Sequence, residues 1–296
     1  MSEYDVIVIG SGPGGYVAAI KAGKLGLRTA IVEKDPAFGG TCLNVGCIPT
    51  KVMIHSAELY ESIAHLGEHG VLVDNPRFDM ARMHQRKNRV VTTLTKGVAY
   101  LLKKNNVTTF RGLGAFVEPH TIQITDDSGN RQQIQGRFII IATGSEPKEL
   151  PHLKFDGQTV LSSTHMLDLP APPKSLAVIG AGAVGIEFAS VYAALGSEVT
   201  VVEMLPHLLP IEDEEVSQEL ERAFKKRRIQ FRLQSVVEAL ETVPGGATLT
   251  IRDAAGALSQ GTYEKVLLAV GRGPKYPGPR PGGDRPRNRP RLHPRR

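Results

Sequence analysis

Tyr4-Asp5-Val6-Ile7-Val8-Ile9-Gly10-Ser11-Gly12-Pro13-Gly14-Gly15 runs from an apolar β-type segment straight into a glycine-rich turn. A helix-like segment, Tyr16 to Leu25, follows, then a second apolar strand, Thr29 to Val32, closed by Glu33. Strand, G-x-G-x-x-G, helix, strand and acid in this order predict a dinucleotide-binding unit. In such a unit Gly10 makes the tight turn, Gly12 admits a pyrophosphate to the backbone, and Gly15 lets helix and strand pack closely. The helix N-terminus favours the phosphates, and Glu33 is placed to accept from ribose hydroxyls.

The arrangement recurs: strand Ser175 to Ile179, turn Gly180-Ala181-Gly182-Ala183-Val184-Gly185, helix Ile186 to Leu195, strand Glu198 to Val202, then Glu203. An acid at this place accepts from a free 2′-hydroxyl and repels a 2′-phosphate, so the second site is expected to prefer NAD over NADP. Two such units predict an α/β chain with two Rossmann-like FAD/NAD(P)-binding domains, each three-layered around a parallel central sheet. The expected partition is 1–149, 150–272 and a tail, 273–296. Between the units, 79–105 reads as a long amphipathic helix and 107–141 as several short strands. Residues 150–173, with four prolines, read as a connector. Residues 213–227 suggest a charged helix, followed by β-rich segments ending at Lys265 to Val270.

The 296 residues, 41% of them hydrophobic, suffice for two domains with full cores. The formal charge of +6 sits in the tail. Residues 272–296 hold eight Arg, one Lys and one Asp, together with seven of the twenty prolines, and the rest of the chain is slightly acidic. This composition cannot build a core and predicts disorder. It is also what GC-rich coding sequence yields when read out of frame. Nucleic acid is not an expected partner, although arginine clusters attract phosphate. No apolar run approaches the ~18 residues of a membrane span, and Met1 to Asp5 lacks the basic start of a signal peptide. The expectation is a cytoplasmic protein, or a mitochondrial matrix protein if a presequence is removed.

Both cysteines, Cys42 and Cys47, lie in Gly39-Gly-Thr-Cys-Leu-Asn-Val-Gly-Cys-Ile-Pro-Thr-Lys51. A zinc site needs about four ligands, and no further cysteine exists to complete one, so no metal is expected. The pairing, just downstream of a nucleotide turn, predicts a dithiol/disulfide redox centre. Five residues of ideal helix would hold the Cα atoms roughly 8 to 9 Å apart, too far for a disulfide. The helix must therefore be distorted, and Gly46 and Pro49 supply the means.

Together, the Cys-x-x-x-x-Cys block with its Ile-Pro-Thr-Lys ending, the two glycine turns, Ala142-Thr143-Gly144-Ser145 and the Ala-Val-Gly-Arg segment at 269–272 resemble the class I pyridine nucleotide-disulfide oxidoreductases. Within them the dihydrolipoamide dehydrogenase branch is most similar. The resemblance covers about residues 4–272. It implies an enzyme that oxidises the dihydrolipoyl group of 2-oxo acid dehydrogenase or glycine cleavage complexes, passing electrons through FAD to NAD. It makes Cys42 the thiol that exchanges with substrate and Cys47 the one facing the flavin. Lys51 would stand near the flavin ring, paired with Glu187. FAD would meet Gly10, Gly12, Gly15, Glu33, Gly40, Thr41, Lys51, Gly114, Thr143, Gly144 and Ser145. NAD would meet Gly180, Gly182, Gly185, Glu187, Glu203, Val237 and Gly271. The partners implied are lipoyl domains and a second copy of the chain. After Arg272 the family pattern stops, so neither its second flavin-binding piece, with a Gly-Asp motif, nor its dimerisation domain, with a His/Glu pair, is matched. His293-Pro294 stands without that scaffold. Weak or absent turnover is expected of this polypeptide.

Overall fold

The structure, a computed structural model, describes residues 2–275. From residue 276 onward the expected tail lies outside the described residues. Its first residues do not follow the expectation of disorder: strand β16 (Arg272–Pro274) pairs antiparallel with β7 (Ser145–Pro147). The described residues divide into two compact units, 2–38 with 98–143 and 275, and 39–97 with 144–274.

The first unit is built on β1 (Ser2–Ile9), α1 (Pro13–Lys24) and β2 (Thr29–Glu33), followed by β3 (Thr108–Arg111), β4 (Leu113–Glu118), β5 (Thr121–Thr125) and β6 (Arg131–Ile141). The sheet order is β3-β2-β1-β6-β5-β4, parallel from β3 to β6 and antiparallel through β5 and β4. Every residue of β2 is buried, as expected of a parallel strand covered on both faces. Ile7, Ile9, Ala30, Val32, Ile122, Ile124 and Ile134 form one core, their period of two placing them on a single face. β6 is served unequally by its neighbours. β1 runs beside it from Ile134 to Ile141, whereas β5 pairs only with Arg131–Gln135. Beyond Gln135 its outer edge has no strand neighbour among the described residues, and Phe138 there is 58% exposed.

The second unit carries α2 (Gly40–Val45), α3 (Cys47–Ser62) and, to Gly97, most of α4 (Met80–Lys104). Its parallel sheet, in the order β11-β10-β9-β15-β8, comprises β8 (Val160–Leu161), β9 (Ser175–Ile179), β10 (Glu198–Val202), β11 (Gln230–Arg232) and β15 (Lys265–Leu268). Alternate residues of β9 feed two different cores. Leu176 and Val178 pack with α6 (Ala183–Ala194), with Phe224 of α7 (Glu214–Lys226) and with Met53 and Ala57 of α3. Ala177 and Ile179 pack with an antiparallel meander of β12 (Val236–Val243), β13 (Gly246–Arg252) and β14 (Leu258–Tyr263). Helices, sheet and meander make the three layers.

The connector contains β8 and a short helix, α5 (Ser163–Met166), which ends in carbonyls held by helical side chains. His84 Nε2 lies 2.8 Å from the Leu169 carbonyl, buried Lys87 donates to the Leu167 carbonyl and to Asp168, and Tyr192 donates to the Met166 carbonyl. The compact units do not follow the expected cut at 149/150. Residues 39–97 belong with 144–274 because α3 and α6 pack together, and Arg227, past the end of α7, donates to both Glu61 on α3 and Ser190 on α6.

Candidate functional site

The first glycine turn is dictated by close backbone approach. Gly10 has φ +96, and a Cβ there would lie 2.3 Å from the Ala142 carbonyl oxygen; one on Gly15 would lie 1.9 Å from that of Gly10. Only glycine fits at either place. Gly12 caps α1, and Pro13 starts it, where a missing N–H breaks no bond. Glu33, 6% exposed, closes the turn from the end of β2. Its Oε2 accepts from the backbone N–H (2.8 Å) and hydroxyl (2.5 Å) of Ser11, and its Oε1 from the Asp35 N–H (2.9 Å). A carboxylate offers about four acceptor positions, so one remains for a ribose hydroxyl. Motif reading passes over Ser11, since the x of G-x-G carries no signal, yet its N–H and hydroxyl both hold Glu33. Gly114 lies against Ile9 and Val32, and Thr143 beside Gly10, so these expected site residues gather at one end of the sheet.

The second turn repeats the design with one difference. Gly180 has φ +103 and its Cβ would lie 2.5 Å from the Ala269 carbonyl oxygen; that of Gly185 would lie 2.0 Å from the Gly180 oxygen. Gly182, capping α6, faces open space, as an approach route for phosphate requires. Glu203, 7% exposed, accepts from the Ala181 N–H (2.7 Å) through Oε2 and from the Leu205 N–H (2.9 Å) through Oε1. With no serine hydroxyl on it, each of its oxygens keeps an acceptor position, enough for two vicinal hydroxyls. Val237, expected beside NAD, instead lies 3% exposed in the core shared with the meander, because its inward strand position points it there. Gly271 is exposed and has φ +102.

Within the second unit the two cysteines stand on either side of a helix break. α2 ends at Val45, Gly46 takes φ −142 and ψ −116, and α3 begins at Cys47. Gly46 cannot be replaced there without a clash, its Cβ falling 2.8 Å from the Thr41 carbonyl oxygen. Pro49 sits in the first turn of α3, where no N–H bond is due. Cys42 is half-buried and Cys47 exposed; both are free thiols and they hydrogen-bond to each other. Burial, then the Cys47 thiol, push the Cys42 thiol up to about 11, with the Cys47 backbone N–H and then Lys51 opposing. Lys51, one turn beyond Cys47, forms an ion pair with Glu187 of α6.

Ser145 is joined to a residue absent from the expected site. Arg272 donates from Nε to Ser145 Oγ (2.9 Å) and from Nη2 to the Ser145 carbonyl (2.6 Å). The Gly-Arg segment was legible, but the partner of its arginine, 127 positions away, was not. Gly40 and Thr41 start α2, Gly144 has φ +76, and Thr143 Oγ1 donates to the Lys275 carbonyl. Among the described residues no group of three or more His, Cys, Asp or Glu is placed to hold a metal, and no helix is long and apolar enough to cross a membrane.

This chain carries two acid-clamped glycine turns and a thiol pair at a helix break. Residues 4–283 match the family model "Pyridine nucleotide-disulphide oxidoreductase", and the chain belongs to that family. It is 44% identical over 275 residues to the mitochondrial dihydrolipoyl dehydrogenase of Pisum sativum, covering 92% of this chain and 55% of that protein. It is 42% identical to dihydrolipoyl dehydrogenase 3 of Pseudomonas putida, covering 94% and 60%. Among solved structures, LpdA from Mycobacterium tuberculosis matches with a TM-score of 0.83 at 25% identity, covering 93% of this chain and 59% of that one. The flavoprotein disulfide reductase RclA from Escherichia coli matches at 0.74 and 28%, covering 92% and 57%. The chain thus spans little more than half the length of the relatives it matches.

Proposed function

We propose that the chain carries the dithiol and nucleotide machinery of a dihydrolipoyl dehydrogenase: it transfers two electrons from a dihydrolipoyl group, through the Cys42/Cys47 pair and FAD, to NAD. The observation that carries this reading is the thiol pair at the Gly46 break, in a chain more than 40% identical to dihydrolipoyl dehydrogenases. A substrate thiolate attacks the Cys42 sulfur, the Cys42–Cys47 bond breaks, and its electron pair leaves on Cys47. The second substrate thiol then displaces Cys42, yielding the lipoyl disulfide and the enzyme dithiol. When bound, FAD accepts the two electrons from the dithiol and delivers a hydride to NAD. In net terms, dihydrolipoyl group plus NAD⁺ gives lipoyl disulfide, NADH and one proton.

The first glycine turn fits FAD and the second NAD. Glu33 and Glu203 orient ribose, while Lys51, with Glu187, supports the flavin end of the thiol helix. Lipoyl domains and a second copy of the chain are the proposed partners.

For the 296-residue polypeptide by itself the proposal is weak turnover. Cys42 departs in the second displacement, and with its thiol pushed up to about 11 it is a poor leaving group unless a positioned group relays the proton from the substrate thiol. The hydrogen-bond partner of Cys42 is the other thiol-bearing residue, Cys47. A positioned base contributes about 100- to 10,000-fold. The test is to reconstitute the purified chain with FAD, pass it through a desalting column, and record its visible spectrum and its NADH formation from dihydrolipoamide. Retained flavin with trace turnover supports the proposal, and near-normal turnover refutes the weak-activity part. A colourless protein that still binds NADH would favour a nucleotide-binding module without thiol turnover.

A further inference from the structure

Helix α4 breaks a rule that α7 keeps. α7 opens on Glu214 and Glu215 and closes on Lys225 and Lys226, each charge opposite in sign to the helix end that carries it. The 25 residues of α4 hold seven arginines and lysines and no acid, and its first turns set Arg82 and Arg86 against the positive end of the helix. Arg82, Arg86, Arg89 and Lys96 follow at spacings of four, three and seven, so the 3.6-residue turn brings them to one side, along about 21 Å of axis. Thr93 continues the row. All five are exposed, while Met83, Lys87 and Thr95 turn to the interior. Arg82 is paired with Asp79 at the start of the helix (3.4 Å), and buried Lys87 has Asp168. Arg86, Arg89 and Lys96 make no ion pair among the described residues. Like charges three and four positions apart on a helix repel, so this face holds a repulsion that no acid among the described residues relieves.

We infer that the outer face of α4 is a docking surface for an acidic polypeptide, a partner that presents a compact group of Asp and Glu side chains. Three of the four cations are arginines, whose planar guanidinium takes a carboxylate through two parallel N–H···O bonds. The charge of the remaining chain favours a short acidic patch over a long polyanion. Outside the arginine-rich tail the chain is slightly acidic, so a nucleic acid running past the ends of the row meets repulsion, and a carboxylate patch of the row's own length does not. Exposed charges at an interface act chiefly on the association rate and its salt dependence, so the contact is salt-sensitive. The inference does not depend on the enzymatic reading, since no residue of the row belongs to the thiol pair or to either glycine turn.

The test uses the full chain and, as probe, a polyglutamate peptide of about 20 residues, long enough to span the row. A carbodiimide joins carboxylates to lysine amines in contact with them. The probe coupled at each lysine is read by peptide mapping at low salt, for the parent and for the double variant Arg86→Gln/Arg89→Gln. Lys96 lies on the row, whereas Lys174 and Lys226, exposed in the same unit, lie off it, and reading residue by residue keeps the arginine-rich tail out of the comparison. In the parent, Lys96 should carry at least about fivefold more probe than either control, an excess lost at about 0.5 M salt. In the double variant, coupling at Lys96 should fall at least about threefold with the controls unchanged, and the melting temperature should rise by about 1 to 2 °C as the repulsion is removed. Coupling at Lys96 no greater than at the controls, or unchanged in the double variant, overturns the inference. So does a double variant that melts lower than the parent, since the row would then be serving the fold. A single-stranded DNA of equal charge that displaces the probe from Lys96 at lower concentration than free polyglutamate overturns the acidic polypeptide in favour of nucleic acid. Should the double variant fail to fold, coupling at Lys96 that is insensitive to salt in the parent overturns the inference equally.

Discussion

Lys51 on α3 and Glu187 on α6, 136 positions apart, form an ion pair that ties the helix of the thiol pair to the helix of the second nucleotide turn. The pair is open to water, the Lys51 side chain being 59% exposed, so its contribution to stability is small. Glu187→Gln is expected to cost less than about 1 kcal/mol in urea unfolding. A loss well above that would mean that the pair is desolvated. The freed ammonium would also weigh more on Cys42, on which Lys51 already acts through its charge.

The glycines of the second turn separate folding from binding. Gly185→Ala places a methyl 2.0 Å from a backbone oxygen and should cost several kcal/mol, about the range of severe substitutions. Gly182→Ala meets nothing within 4 Å and should leave the melting temperature nearly unchanged while weakening NADH binding at least tenfold. Thermal melts and NADH fluorescence titration on both variants check this. Equal binding by wild type and Gly182→Ala would remove Gly182 from the nucleotide site.

Glu203→Gln keeps the shape of the side chain but turns one acceptor into a donor facing a backbone N–H, either that of Ala181 or that of Leu205. A buried mismatched pair costs about 1 to 3 kcal/mol. NADH affinity should fall as well, with NADPH affinity nearly unchanged, since no cation is introduced to greet a 2′-phosphate. Chemical denaturation and paired titrations with the two nucleotides read both effects.

Alkali should weaken the reduced chain through Cys42. Its thiol is raised from 9.0 to about 11 in the folded state, so the unfolded chain releases its proton first as pH climbs. The stability associated with the folded thiol is whole below about pH 9 and is lost as pH passes through about 11. Tyr192, raised by burial and by Asp168, adds the same sign at still higher pH. Melting temperatures across this window should fall less steeply in Cys42→Ser than in the reduced parent. Parallel curves would show that Cys42 is not a source of the alkaline loss.

Much of the architecture was legible because it is locally determined. Gly10, Gly15, Gly180 and Gly185 are required by contacts with backbone a few residues or one strand away, and the acids at 33 and 203 follow at a spacing set by one helix and one strand. The helix break at Gly46 followed from the reach of a disulfide alone. What escaped reading depends on distant packing. Residues 39–97 join the second unit through contacts of α3 with α6, Val237 turns inward with its strand, and Arg272 finds Ser145 across an antiparallel ribbon. The clamping of Ser11 by Glu33 was hidden for another reason: the acid was read for a ligand, and its first partners are the chain's own N–H and hydroxyl groups.

The half-paired β6 has a consequence for handling the protein. From Arg137 to Ile141 a row of backbone donors and acceptors faces outward among the described residues, flanked by exposed Phe138 and Ile140. Such an edge is a template on which a strand from another molecule can add. Concentrated solutions should therefore cloud or form oligomers by scattering, and a charge at 138 should keep them clear, so that colloidal behaviour will report on this strand before any enzymatic assay does.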